Sequence, residues 1–358
     1  MRNSKKILLG YWFLSLVILT HTSSCIDSLD FFSETDEGQI IIYGLFTDLD
    51  EVQVVNVSKT VSMGLIPIGV TNAQVTLLTE EGERFIYLNA GNGNYELQGI
   101  KGMENKSYAI EVLADGKVYR SSYEKIPSLI AEDSLSFTFT FEPLRNEIPE
   151  QVFTLSAYTE IPSSSEPIYL RWQTEETHLW MRTVFPCSGL CPPPPPNCFI
   201  YDFLEPSRLN LFDGLTSNTR VLNQVMGRRN VDNSFFFPFF FSVTQLSINR
   251  EAYEYWEKVK IMVNNEGSLF DIPPAPIFGN ISNVDDGNER VFGYFEVGRA
   301  KITRIYTTRQ DVPFFMPEPC KYNPEIPRDA YPPACLNCAI RAGSRKWDEG
   351  GPEWWVFD

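Results

Sequence analysis

Six cysteines in the second half of the chain are the residues with the clearest chemistry. They lie in two stretches rich in proline and are Cys187, Cys191, Cys198, Cys320, Cys335 and Cys338. In an oxidising compartment an even number of cysteines predicts disulfides, whose pairing the sequence leaves open. Cys335 and Cys338 have C-x-x-C spacing, so a zinc site and a redox pair remain as alternatives, although no histidine stands near them.

Other residues suited to catalysis are few. The chain has two histidines, and His178 is the only one beyond residue 24, so a metal site with several histidines is excluded. A serine triad would depend on His178 alone, without a Gly-x-Ser-x-Gly motif, and we expect this histidine to be solvated at a strand end. The acidic run at 285–289 lacks the alternating spacing of a calcium loop and predicts a turn. We therefore expect no catalytic residues, no metal site and no cofactor, and hence no enzyme.

The amino terminus has the layout of a secretory signal. A basic start, 1–6, precedes an apolar run, 7–20, and then come Thr22-Ser23-Ser24-Cys25. The last four residues resemble the lipobox of bacterial lipoproteins, with Thr22 in place of the usual leucine. The resemblance implies removal of residues 1–24, lipidation of Cys25 and an outer-membrane location. An ordinary signal peptide with a chance cysteine is the alternative.

The overall charge is strongly acidic, at −16. Residues 1–24 hold Arg2, Lys5 and Lys6 and no acidic residue, so their removal leaves −16 − 3 = −19. Such a body repels nucleic acid, because sequence-independent binding depends on clustered Lys and Arg. Residues 25–38 are polar and acidic and predict a tether. They also resemble the acidic export signal of surface lipoproteins of Bacteroidota.

The body from residue 39 predicts a mainly β fold. Short alternating strands separated by Gly, Asn and Asp turns indicate an antiparallel β-sandwich, of immunoglobulin or transthyretin type, over 39–127. The order of its cues resembles the transthyretin- or carboxypeptidase-regulatory-type sandwich. A second β-rich domain is predicted over 128–319, with one amphipathic helix near 249–265. Disulfide-stapled loops complete the predicted architecture.

Two aromatic clusters are candidates for docking a partner. The first contains Phe235, Phe236 and Phe237, followed by Pro238, and its simplest interpretation is a buried strand interrupted at the proline. An exposed patch that docks a membrane-protein partner is the alternative. The second contains Trp347, Trp354 and Trp355 in the segment 320–358. We expect this segment to pack on the body, because its tryptophans and cysteines are unlike a disordered tail.

Several segments together resemble a known family. They are Gly267-Ser268-Leu269-Phe270-Asp271, Gly279-Asn280-Ile281, Val291-Phe292-Gly293-Tyr294-Phe295, Cys335-Leu336-Asn337-Cys338 and the tryptophan-rich end. The chain is similar to an uncharacterised lipoprotein family of Bacteroidota, labelled a domain of unknown function and often encoded beside TonB-dependent outer-membrane receptors. The resemblance implies a non-catalytic accessory or binding subunit of an outer-membrane β-barrel transporter, exposed on the cell surface. A free-standing glycan-binding or adhesive lipoprotein is the alternative.

Lipidation of Cys25 is directly testable. We expect Cys25→Ala to leave the protein unprocessed or released from the membrane, because the acylated thiol is its predicted anchor. Intact-mass measurement of the membrane-extracted protein should show acyl chains on a mature chain beginning at Cys25. An unacylated mature chain that begins elsewhere would contradict the prediction.

Overall fold

The computed structural model describes residues 38–61, 66–144, 148–217, 219–264 and 276–355. Cys25, the rest of the predicted signal and almost all of the predicted tether lie outside these ranges. The 267–274 part of the family resemblance also lies outside them.

Ten strands form within the first predicted region. They are β1 (Ile40–Thr47), β2 (Gln53–Lys59), β3 (Ile68–Gly69), β4 (Gln74–Thr79), β5 (Arg84–Ile86), β6 (Leu88–Gly91), β7 (Asn94–Leu97), β8 (Ser107–Ala114), β9 (Lys117–Ser121) and β10 (Glu124–Lys125). Local turn chemistry sets their register. Asp115 and Gly116 join β8 to β9, and both have positive φ, as a tight hairpin turn requires.

Ten further strands and two α-helices follow. The strands are β11 (Glu132–Pro143), β12 (Pro149–Glu160), β13 (Tyr169–Trp180), β14 (Cys198–Phe203), β15 (Asn210–Asp213), β16 (Val221–Asn230), β17 (Phe239–Ile248), β18 (Ile281–Asn283), β19 (Phe295–Thr307) and β20 (Lys346–Asp348). The helices are α1 (Arg250–Asn264) and α2 (Cys338–Ala342). The predicted mainly β fold with an amphipathic helix and disulfides is confirmed.

One long sheet runs through the whole molecule. Its strand order is β20-β14-β13-β17-β19-β1-β2-β7-β6, with β3 and β15 attached at the side. The two predicted regions are linked by the parallel pairing of β1 with β19, where Gly44 lies opposite Phe295, and by the antiparallel pairing of β9 with β18. The predicted domain boundary near 127 remains a prediction, and hydrogen-bonded strands join the two sides of it.

Two smaller sheets pack on one face of the long sheet. The first contains β18, β9, β8, β4, β5 and β10 and encloses an apolar core with β1, β2 and β7. The second contains β11, β12 and β16 and encloses an aromatic core with β13 and β17. In this aromatic core the rings of Phe153 and Phe241 stack at 4.3 Å, and those of Phe239 and Phe241 at 4.8 Å. We call the face that both small sheets cover the inner face.

Helix α1 covers part of the opposite, outer face. The Asn249 side chain caps the helix, accepting a hydrogen bond from the Ala252 amide at 2.8 Å. Ala252 is fully buried and packs, with Tyr255 and Trp256, on apolar residues of β17 and β19. The first two turns of the predicted amphipathic helix therefore pack on the sheet.

Three disulfides hold the proline-rich stretches. They join Cys187 to Cys191, Cys198 to Cys338, and Cys320 to Cys335. The two cysteines of the C-x-x-C motif thus have different partners. The Cys198–Cys338 bond ties β14 to α2, and β20 pairs with β14 next to it. The carboxy-terminal segment packs on the body through these contacts.

The long-range disulfide should contribute most to stability. Cys198–Cys338 closes a separation of 140 residues and Cys187–Cys191 one of 4. The chain-entropy model gives roughly 5 kcal/mol for the first and roughly 2 kcal/mol for the second. We expect the double variant Cys198→Ala/Cys338→Ala to lose far more free energy of unfolding in urea than Cys187→Ala/Cys191→Ala. Equal losses of free energy of unfolding in the two double variants would contradict the prediction that the long-range disulfide contributes more.

Candidate functional site

The prediction of a solvated His178 is wrong. His178 is fully buried, because it points to the inner face of β13, where its ring stacks on Phe239 at 5.0 Å. Neither ring nitrogen has a hydrogen-bond partner among the described residues. Burial lowers the pKa of His178 well below its usual range, and nearby arginines, Arg229 first, lower this pKa further.

Ionic groups around His178 are paired with each other. Arg229 bonds Glu176 at 2.5 Å and lies over the Phe239 ring at 4.9 Å. Burial raises the pKa of Glu176, and Arg229 opposes this rise. His178 is buried from solvent and forms no hydrogen bond with Glu176 or any other described residue, so it is a packed core residue.

Burial of a neutral histidine has a consequence for pH dependence. Below about pH 6.5 the unfolded chain binds a proton at residue 178 that the folded chain excludes, so stability falls as the pH falls. We expect His178 to account for a loss of about 2 kcal/mol between pH 7 and pH 5.

Urea unfolding of the wild type and of His178→Phe at both pH values measures this contribution. The variant should lose less free energy of unfolding on acidification than the wild type. Identical losses would show that His178 is protonated in the folded protein.

The predicted aromatic clusters occupy different places. Phe235 is fully buried and Phe237 is buried, while Phe236 is half-buried against the same aromatic core. Phe235 belongs to a 3-10 helix, Asn233–Phe236, and the strand itself begins after Pro238. In the folded body Phe235 and Phe237 are core residues, so their side chains do not form an exposed patch.

Two of the three tryptophans lie on the outer face, whereas Trp347, opposite Ile200, lies on the inner side of the sheet edge. Trp355 packs on Phe240 at 4.4 Å and on Phe199 at 5.1 Å. Trp354 lies 5.4 Å from Phe240, and Trp347 belongs to the edge strand β20. The carboxy-terminal tryptophans 354 and 355 therefore cover one part of the outer face, as α1 covers another.

Between these two covers, four strands of the outer face carry mainly polar side chains. Register places the side chains in two rows, because directly opposite residues share a face. One row contains Phe203, Glu175, Ser242 and Arg304, and the next contains Gln173, Thr244 and Ile302. We call these seven residues the open strip. Glu175 and Phe203 are exposed, and Ser242 is buried. The other four residues, Gln173, Thr244, Ile302 and Arg304, are half-buried.

Arg304 is the most unusual group of the open strip. Its guanidinium lies over the Trp354 ring at 4.4 Å, and it forms no ion pair or hydrogen bond with a described residue. Burial lowers the pKa of Arg304, and the carboxylates of Glu51 and Glu175 oppose this effect. The Nε atom of Arg304 is buried without a hydrogen-bond partner, so a guanidinium stacked in this way can receive an anionic group through its terminal nitrogens.

Glu175 complements Arg304 in charge. The two residues lie on strands separated by β17, so their Cα atoms are about 10 Å apart. Burial among protein groups raises the pKa of Glu175, and Glu51 raises it further, although the side chain still reaches solvent. Among the described residues neither Arg304 nor Glu175 forms an ion pair, so the open strip presents a cation and a carboxylate with half-buried hydroxyl and amide groups beside them.

A second surface lies at the end of the sheet that carries the disulfides. The loop 181–197, which we call the stapled loop, contains one charged residue, Arg182. Arg182 lies at its base and donates to the Pro196 carbonyl and to Glu349, both at 2.9 Å. Cys187–Cys191 closes its tip, where Leu190 is fully exposed, and exposed prolines follow. This surface is rigidly tied and uncharged at its tip.

Sequence reasoning missed the open strip. Arg171, Gln173 and Glu175 alternate along β13, a period-two signal that places them on one face. No local sequence signal links this pattern to Arg304. β13 and β19 come together only because both strands pair with β17.

One cavity of about 220 Å³ lies near Ile161, Phe212 and Arg220. It is smaller than the roughly 300 Å³ at which ligand pockets usually begin. In the described part of the chain, no helix is long and apolar enough to cross a membrane.

The fold defines a mainly β, disulfide-containing protein. The family model for the domain of unknown function DUF4249 matches residues 26–304, so the chain belongs to this family. No curated protein matches the chain in sequence.

Two solved structures show distant likeness. Trypsin-activated alpha-2-macroglobulin from Escherichia coli is 11% identical with a TM-score of 0.18, covering 60% of this chain and 15% of that one. The BSP domain of a biofilm-associated protein is 7% identical with a TM-score of 0.17, covering 63% and 58%. The chain spans less than two thirds of either protein, and likeness this weak carries no argument.

Proposed function

We propose that this protein is an outer-membrane, lipid-anchored lipoprotein exposed at the cell surface, and that it acts as a non-catalytic accessory or binding subunit of a TonB-dependent transporter. The lipobox-like sequence at Cys25 and the resemblance to Bacteroidota lipoproteins support the location. The stapled loop is the observation that supports docking to a protein partner.

The position of the stapled loop suits this role. β1 runs parallel to β19, so Gly38, where the described body begins, lies at the end where β19 starts. The stapled loop follows β13 at the other end of the sheet, beside the end of β19. From Phe295 to Thr307 that strand spans roughly 40 Å. An anchor at Cys25 would therefore enter the body far from the stapled loop.

The chemistry of the stapled loop suits a protein partner. Val184 and Leu190 are exposed, and exposed prolines follow in a chain that a disulfide already constrains. A preordered apolar loop loses little conformational entropy when it binds. Because its tip carries no charge, docking there does not require burial of an unpaired ion.

A free-standing glycan-binding lipoprotein is the second candidate. The open strip supports it, since a sheet face that exposes an aromatic ring, Phe203, beside polar side chains is suited to sugars. The two candidates differ in whether a barrel protein accompanies the chain.

Charge placed on the stapled loop should separate the candidates. We expect Val184→Asp/Leu190→Asp to keep the melting temperature and to lose a TonB-dependent receptor that co-purifies with the wild type in mild detergent. Both side chains are exposed, so the fold tolerates the change, whereas docking would bury two carboxylates without partners. Mass spectrometry of the purified complex identifies the partner and its stoichiometry.

The matched control is Ile66→Asp/Leu88→Asp, which adds the same charge to exposed residues of the first region. It should retain the receptor. If the wild type carries no stoichiometric barrel protein, the transporter role is refuted. If the loop variant retains a barrel protein as well as the control does, docking through the stapled loop is refuted.

A further inference from the structure

We infer that the open strip is a binding site for a carboxylate-bearing oligosaccharide of about disaccharide length, with Arg304 receiving the carboxylate and Glu175 accepting hydroxyl hydrogen bonds. This inference does not depend on the proposed transporter partner. It rests on the arrangement of free and paired charges on the outer face.

Arg304 defines the anionic end of the ligand. Trp354 occupies one face of the guanidinium and Nε is buried, which leaves the terminal N–H groups as donors for a ligand. The planar N–H fork of arginine matches a carboxylate in a bidentate geometry. Glu51 and Glu175 lie close enough to act on Arg304, so a single negative charge fits here better than a multiply charged phosphate.

Glu175 and the polar residues of the open strip define the neutral part of the ligand. A carboxylate accepts hydrogen bonds from hydroxyl groups, and the half-buried Thr244 and Gln173 of the neighbouring row add a hydroxyl and an amide group. Phe203 lies beside Glu175 with 48% of its surface exposed, so it offers an aromatic face to a sugar ring. The separation of about 10 Å between the Glu175 and Arg304 Cα atoms requires a ligand longer than one small anion.

A sugar fits this surface better than a peptide does. Peptides that bind sheets usually add as a strand to an exposed edge, where backbone groups are unpaired. The strip lies on four neighbouring strands whose backbone groups pair with each other. Recognition there has to come from side chains, and hydroxyl-rich ligands bind through side-chain hydrogen bonds and ring stacking.

The test is a titration of the purified full-length mature protein with acidic sugars. The probes are digalacturonic acid, an unsaturated hyaluronan disaccharide and sialyllactose. The uncharged counterparts are the dimethyl ester of digalacturonic acid and lactose. Calorimetry measures the affinity, and tryptophan fluorescence reports on Trp354 beside Arg304. We expect at least one acidic probe to bind and its uncharged counterpart to bind at least about tenfold more weakly, as loss of one charge-assisted contact implies.

Variants locate the binding. Arg304→Gln should weaken binding of the acidic probe by about tenfold or more. Arg304→Lys should weaken this binding less, because lysine keeps the charge but lacks the planar N–H fork. Glu175→Gln, at an exposed residue, should weaken binding without lowering the melting temperature, which separates recognition from folding. Arg84→Gln is the matched control, since Arg84 is an exposed arginine that pairs with Glu111 on another sheet.

Each other outcome overturns the inference. No binding of any acidic probe, equal binding of an acidic probe and its uncharged counterpart, or unchanged affinity in both Arg304→Gln and Glu175→Gln would do so. If the stapled-loop variant loses the receptor partner and the wild type binds no sugar, the proposed function stands and this inference is refuted. A protein that binds an acidic sugar but has no receptor partner would refute the proposed function and leave this inference standing.

Discussion

The buried ion pair between Arg171 and Glu296 is the constraint on which the outer face depends. Arg171 donates two hydrogen bonds to Glu296, at 3.0 Å and 2.7 Å, and the side chains are 4% and 0% exposed. The pair joins β13 to β19 across β17, and its arginine also lies 4.4 Å from the Trp256 ring of α1. Two buried charges are tolerated only in such geometry, because a displaced partner would leave an unpaired ion in the interior. Strand register and helix position are therefore linked. Burial raises the pKa of Tyr43, beside the pair, to about 12, so it remains a neutral phenol there.

Two arginines on the same sheet face show how the open strip differs from its surroundings. Arg171 and Arg304 each lie 4.4 Å from a tryptophan ring, Trp256 in one case and Trp354 in the other. Arg171 is covered by α1 and has a carboxylate partner. Arg304 is half-buried beyond the reach of α1, and it has no such partner among the described residues. Stacking of Arg171 on Trp256 thus stabilises the packing of α1 on the sheet. Stacking of Arg304 on Trp354 instead positions a guanidinium for an external anion.

Local signals in the sequence predicted the parts of the fold that local chemistry determines. The hairpin at Asp115 and Gly116, helix α1 and the stapled loops follow from turn residues, apolar spacing and cysteine number. Strand β19 was not predicted as a strand, because Gly298 and several basic residues interrupt its apolar pattern. Its neighbours come from distant parts of the chain, so its pairing is invisible locally. His178 was misplaced for a related reason: the aromatic ring that covers it, Phe239, comes from β17.

Strand β14 belongs to both candidate surfaces and relates them physically. It begins at Cys198, whose disulfide to Cys338 fixes the base of the stapled loop, and it ends at Phe203 in the open strip. Between these ends β14 pairs with β13 on one side and β20 on the other. A strand held by hydrogen bonds on both sides and by a covalent bond at one end moves as a unit. The two surfaces differ in the interactions they offer, apolar and rigid in the loop but polar and charged in the strip. They are nevertheless displayed by one element, so a ligand on the strip lies at a fixed position relative to any partner that docks on the loop.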